Sequence, residues 1–163
     1  MAALELRLLT EDDLPELVAA VNASLDHLRP WMPWAGEPAT EATQGAWLRD
    51  MLASPGDQVY GAFEDARLVG CCGLHARIAP GGLEIGYWTR AGWTRRGIAT
   101  AMARRLAEIA FAQPGIDHVE IHHDPANVAS GRIPERLGYA RAGDDGAGHR
   151  VWRLRGSFTK NSL

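Results

Sequence analysis

The 163-residue chain has only two cysteines, and they are adjacent, Cys71 and Cys72. Neighbouring residues on a strand point to opposite faces, so a bridge between these two is not expected. No CxxC and no His/Cys spacing suits zinc, so no metal is expected. Unpaired thiols of this kind fit a reducing, cytoplasmic setting. Long hydrophobic runs are missing too. No stretch approaches the roughly 18 apolar residues of a membrane span, so no membrane partner is expected. The N-terminal run Met1-Ala2-Ala3-Leu4-Glu5-Leu6-Arg7 carries charges where a secretion signal needs an apolar core. A dominant charge is absent: the formal net charge is -3. That leaves no basic footprint for nucleic acid. A GxxxxGK(S/T) phosphate loop and a GxGxxG dinucleotide fingerprint are both lacking. Repeats, low-complexity tracts and linkers are lacking as well, so residues 1–163 are expected to form a single domain.

What is present is a regular alternation of patterns. Leu4, Leu6 and Leu8 alternate with charged residues as a half-buried strand does. Thr10 with three acidic residues predicts a helix start, and one apolar stripe from Leu14 to Leu28 predicts one long helix. Two prolines in Arg29-Pro30-Trp31-Met32-Pro33-Trp34 end it. A second helix is expected over about 40–52. Residues 58–63, 68–74 and 83–89 read as an antiparallel meander. Gly97 opens a helix with Ile98, Met102, Leu106 and Ile109 on one face, stopped at Pro114-Gly115. Val119 and Ile121 mark a strand, Asn127 caps a helix to about Leu137, and a hairpin closes the chain. One mixed sheet with helices on its faces follows.

The segment Glu84-Ile85-Gly86-Tyr87-Trp88-Thr89, a short loop, then Arg95-Arg96-Gly97-Ile98-Ala99-Thr100 is the most informative. A strand feeds a helix through basic residues and a glycine. The amide N–H groups of a first helical turn have no partner within the helix and point at an anion. Gly97 and Ala99 let a phosphate approach the backbone, and Arg95 and Arg96 add charge. The plainer reading is a structural glycine with two solvated arginines. A phosphate-binding protein of another class is a further alternative.

Thr94 to Ala99 resembles the pyrophosphate motif of the GNAT N-acetyltransferases, Arg/Gln-x-x-Gly-x-Gly/Ala, with Thr94 as a departure at the first position. Glu84 to Trp88 is similar to the strand before that motif in the ribosomal-protein (Rim-type) branch. Asn127-Val128-Ala129-Ser130 and Glu135-Arg136-Leu137-Gly138-Tyr139 resemble that branch's Asn-x-x-Ser followed by Glu-Lys-Leu-Gly-Phe. The resemblance implies the α/β (α+β) GNAT fold. That is a central mixed, mostly antiparallel sheet of about seven strands flanked by about four helices, with a V-shaped splay between strands four and five.

It also implies acyl transfer from acetyl-CoA, or succinyl-CoA or another acyl-CoA, to a primary amine through a tetrahedral intermediate. No covalent acyl-enzyme is expected, because neither cysteine has a base beside it in sequence. Arg95, Arg96, Gly97, Ile98, Ala99 and Thr100 would hold the pyrophosphate. The backbone of Tyr87, Trp88 and Thr89 would lie along the pantetheine arm, with Asn127 and Ser130 beside it. Glu84 would be the base. The tyrosine acid of many members falls on Pro134 here, so Ser130 would be the proton donor. Pro134 inside a helix forfeits a bond to the Ser130 carbonyl, and a kink there would re-aim Ser130. Trp31, Trp34 and Glu84 would line the acceptor site. His27, His122 and His123 read as structural or surface residues. The acceptor would be a small-molecule amine or a protein N-terminus, and the enzyme a monomer or homodimer. The competing reading is a non-catalytic acyl-CoA sensor domain on the same fold, since fold does not establish activity.

Overall fold

The computed structural model describes residues 3–156; Met1 and Ala2 of the N-terminal run and residues 157–163 of the expected domain lie outside the described residues. Seven strands make one sheet: β1 (Glu5–Leu8), β2 (Asp57–Glu64), β3 (Arg67–His75), β4 (Gly82–Thr89), β5 (His118–His123), β6 (Ala140–Asp144) and β7 (Arg150–Arg155). Their spatial order is β1-β2-β3-β4-β5-β7-β6. Short turns join β2, β3 and β4, so these pair antiparallel. Among the described residues only β4 and β5 run parallel, because helix α4 (Ile98–Phe111) carries the chain back between them.

The two faces of the sheet are covered differently. Leu83 and Ile85 of β4 and Val119 and Ile121 of β5 pack under Met102 and Leu106 of α4. Those two α4 side chains are fully buried, each worth roughly 1.5–3 kcal/mol. Val59, Phe63 and Cys71 on the opposite face pack under α1 (Leu14–Asn22) and α3 (Glu41–Ala53), through Leu17, Val21 and Leu48. Cys71 and Cys72 therefore fall in opposite cores and are unbridged, as strand geometry requires. Helix α5 (Val128–Arg136) lies beside α4 and β5.

One expectation is corrected. The apolar stripe from Leu14 to Leu28 is not one helix: α1 ends at Asn22, and a separate turn, α2 (Leu25–Leu28), follows. Ser24 breaks it. Its buried hydroxyl donates to the Ala20 carbonyl at 2.7 Å and accepts from the Ala91 amide at 2.9 Å. A short polar side chain bonded back to the main chain competes with helix continuation. Both pieces still face one core, so the spacing alone shows no break. Five α-helices, counting the one-turn α2, are present among the described residues.

The feature that positions the site is the parting of β4 from β5. They pair only at Gly82↔His118, Leu83↔Val119 and Glu84↔Glu120. Beyond that, β4 follows β3 to Thr89 and β5 follows β7 to His123. A V-shaped opening starts at residue 85, as expected.

Candidate functional site

One side of the V is headed by the start of α4. Gly97 occupies its N-cap with φ 76°, in the left-handed region that glycine adopts without strain. A methyl group on Gly97 would meet no atom within 4 Å, so the space over this backbone is open. Arg95 also sits at positive φ, 62°, which strains a residue bearing a Cβ. The amides of Arg95 to Thr100 make no hydrogen bond to main-chain or side-chain acceptors among the described residues; the first helical bond is Ala101 to the Gly97 carbonyl. A row of such N–H groups beside open space suits a pyrophosphate. Ile98 is buried and anchors the turn. Ala99 and Thr100 are half-buried, while Arg95 and Arg96 are exposed.

Further positive charge gathers there. The guanidinium groups of Arg67, Arg90 and Arg96 lie 5.6, 5.7 and 5.4 Å from the Trp93 ring. Arg90 is also held by Glu16 at 2.8 Å. Sequence reading overlooked Arg67, Arg90 and Trp93; the nearness of Arg90 and Trp93 to the glycine motif was the available signal.

Across the V stands α5. The Asn127 side chain caps it by accepting from the Ser130 amide at 3.3 Å. The helix continues through Pro134 despite the lost bond. The forfeited bond is replaced. The Tyr87 hydroxyl donates to the Ser130 carbonyl at 3.1 Å and shares a second contact with Ser130 Oγ at 3.2 Å. Burial pushes the Tyr87 phenol up to about 12, only partly offset by its bond to Ser130, so it stays protonated. Tyr87 thus joins β4 to α5 through its side chain. Thr89 is buried at the end of β4, and its carbonyl accepts from His27 Nε2 at 2.7 Å.

On the face of β4 that carries Trp88 lies a cavity of about 680 Å³. Its walls are Trp34, Trp47 and Trp88 with Met32 and Met51; Glu37, Asp57, His75 and Arg77 supply its charge, and Gly73 and Gly86 its floor. The rings of Trp34 and Trp88 stand 6.0 Å apart at 55°. Trp31 is not in that wall and is 38% exposed; Trp34, three residues on, is in it. Glu84 is 14% exposed at its side chain, and both its oxygens accept from Arg77, at 2.7 and 3.0 Å.

The remaining histidines are engaged in structure. His122 sits between Glu120 at 2.8 Å and Asp145 at 3.0 Å. His123 Nε2 accepts from the Trp152 indole at 2.9 Å. His75, which the sequence did not single out, holds Asp57 at 2.6 Å. Cys71 borders the cavity, but burial pushes its thiol to about 12, which disfavours the thiolate a nucleophile needs. Among the described residues, no group of three or more His, Cys, Asp or Glu is placed to hold a metal ion.

A helix start with unpartnered amides and an apolar, charged-rimmed cavity therefore both lie by the part of β4 that has left β5. The family model described as acetyltransferase (GNAT) domain matches residues 3–140. YdaF of Bacillus subtilis (strain 168), assigned as a ribosomal N-acetyltransferase, is 29% identical over 148 residues, covering 85% of this chain and 78% of that protein. An aminoglycoside N(6')-acetyltransferase type 1 of Klebsiella pneumoniae is 26% identical over 156 residues, covering 85% of this chain and 74% of that protein. The structure of RimL, a ribosomal L7/L12 alpha-N-protein acetyltransferase in complex with coenzyme A, has a TM-score of 0.83 over 95% of both chains at 17% identity, a likeness of fold. These relatives include Rim-type proteins, and the chain belongs to the GNAT acetyltransferase family, as an acyl-CoA-dependent N-acetyltransferase.

Proposed function

We propose that the described residues form the working part of a single 1–163 acyltransferase domain that acylates a primary amine seated in the tryptophan-walled cavity. The parting of β4 and β5 past Glu84 and Glu120 carries the reading, because it opens β4's free edge between cradle and cavity. Arg95 to Thr100 hold the pyrophosphate of acetyl-CoA, or of succinyl-CoA or another acyl-CoA, mainly through backbone amides. The main chain of Tyr87, Trp88 and Thr89 lies along the pantetheine arm, opposite Asn127 and Ser130. One amide of this stretch donates to the developing oxyanion, a contribution of roughly 3 kcal/mol to the barrier. Ser130 Oγ, aligned by Tyr87, delivers a proton to the leaving thiolate. Glu84 fixes Arg77 at the acceptor wall, and Trp34 packs against the amine's substituent.

The acceptor follows from the same geometry. Three indoles with Glu37 and Asp57 suit a cationic amine arriving from water. A small-molecule amine and a protein N-terminus both meet that description. The relatives divide the same way, being assigned to ribosomal and to aminoglycoside amines. No nucleic-acid or membrane partner enters the proposal. No described helix is long and apolar enough to cross a membrane. Two free, buried cysteines suit a cytoplasmic setting, and the proposed enzyme works as a monomer or homodimer.

The test is release of free thiol from acetyl-CoA and succinyl-CoA with kanamycin, spermidine, and serine- and alanine-headed peptides. Amine-dependent release with one donor is expected. Binding of CoA without release for any amine would sink the catalytic reading.

A further inference from the structure

His122 and His123 have both ring nitrogens bonded to protein groups. His75 is different. It ends β3, its Nδ1 lies 2.6 Å from Asp57 Oδ1, and Asp57 Oδ2 accepts from Ser54 Oγ at 2.6 Å. Burial pushes the Asp57 carboxyl up, but hydrogen bonds from Ser54 and His75 outweigh that and hold it below the usual carboxylate range. An ionised carboxylate only accepts, so the ring proton belongs on Nδ1 and the lone pair on Nε2.

Nε2 is the ring atom left over for a further proton. It makes no hydrogen bond among the described residues, and His75 lines the cavity. The ring folds back over Gly73: a methyl group there would stand 2.7 Å from Nε2. A methyl group on Gly86, the next strand's residue, would stand 3.9 Å from it. Gly73 and Gly86 are register partners on this face, so two missing side chains open a lane from the ring to the free part of β4. Glu84, the register partner of His75 itself, has both oxygens bonded to Arg77. A carboxylate so engaged must break that pair before it accepts a proton.

We propose that His75, oriented by Asp57 and Ser54, is the base that takes the proton from the acceptor amine. The inference rests on the acyl-transfer reading of the site. An R–NH₃⁺ group gives one proton to Nε2. The freed nitrogen pair forms the C–N bond while the carbonyl π pair moves to oxygen. Collapse breaks the C–S bond. The second amine proton leaves through Ser130 to the thiolate, and His75 returns its proton to water. The charged groups facing the ring are Asp57 from β2, Glu84 from β4, Arg77 after β3 and Glu37 before α3; α3 itself presents only uncharged side chains to the cavity.

The experiment compares wild type with His75→Gln and Asp57→Asn on acetyl-CoA and whichever amine of the panel is turned over. If none is, although CoA binds, the acyl-transfer reading fails and this inference with it. His75→Gln should lower kcat about 100-fold or more, abolish the acid limb of the kcat/KM profile, and leave calorimetric CoA binding intact. His75→Ala should recover part of the loss with added imidazole. Asp57→Asn, which keeps the ring but loosens its hold, should lose about tenfold. Turnover within threefold of wild type with the acid limb intact, in both variants, would overturn the proposal. So would loss of CoA binding together with turnover, which marks a structural residue. Wild type failing to bind CoA would overturn the acyl-transfer reading and this inference with it.

Discussion

At the residue scale, the most informative substitution of nature is Pro134. It deprives the Ser130 carbonyl of its helical donor, and Tyr87 supplies another from the neighbouring strand. Tyr87→Phe should therefore cost about 1–3 kcal/mol, because a part-buried carbonyl loses its only replacement. Pro134→Ala restores an N–H to that carbonyl and should recover part of the loss in the Tyr87→Phe background but little in the wild type. A double-mutant cycle by urea denaturation reads this coupling. Additive effects would show that Tyr87 does not stand in for the missing helical bond. Ser130→Ala should slow acyl transfer at least tenfold without abolishing CoA binding. Pro134 itself was legible in the sequence, and so was the carbonyl it orphans. The partner was not, since it depends on how α5 lies against β4, a distance of 43 residues along the chain.

At the element scale, legibility divided along local and non-local lines. The start of α4 was readable to the residue, because Gly97, the apolar stripe behind it and the arginines before it are contiguous. The break at Ser24 was not. Its hydroxyl is claimed by Ala91, from a loop that sequence alone does not bring near. His75 escaped notice for a related reason. From the turn, Glu64 faces Arg67 and Phe63 faces Leu68, but a bulge then sets Ala62 opposite Gly70. A plain hairpin would pair Asp57 with Leu74, on the wrong face; the bulge moves it to His75.

Two predictions belong to these elements. Gly97→Ala places a Cβ on a left-handed N-cap, at a stability cost of about 1–2 kcal/mol. It also puts a methyl group in the open space over the amides, so CoA affinity by calorimetry should fall tenfold or more, beyond what the stability loss explains. Unchanged affinity would move the pyrophosphate elsewhere. Ser24→Ala leaves the Ala91 amide without its acceptor and should cost about 1–3 kcal/mol in thermal or urea unfolding. A neutral result would mean that the loop before α4 is anchored otherwise.

At the scale of the whole molecule, charge is threaded through the sheet. Register sets Asp57, His75, Glu84, Glu120 and Arg153 in a row across five strands on one face. The row divides into two parts with different work. The Asp57–His75 end opens on the cavity; the Glu120 end is closed by Arg153 and His122, with Asp145 on the far side of His122. Burial lowers the His122 imidazole, but its bonds to Glu120 and Asp145 raise it further, so the net shift is upward. Burial raises Glu120 and Asp145, and the same partners, with Arg153 and the 147–149 amides, bring both below their usual range.

The signs then define a window. The carboxylates' contribution is complete above their unfolded values, about 4–4.5, and is lost as pH falls through the depressed folded ones. The His122 contribution is complete below its unfolded value, about 6.5, and is lost as pH rises through the raised folded one. His122→Gln should thus cost most stability between about pH 4.5 and 6.5, on the order of 1–2 kcal/mol since Glu120 keeps Arg153. The difference from wild type should shrink on both sides of that range. Urea denaturation at a series of pH values measures it. A difference constant from acid to alkaline pH would show that His122 acts by packing alone. Because His122 lies outside the cavity lining, the same variant should leave the acid limb of turnover where it was, which separates the structural end of the charge row from the end assigned to chemistry.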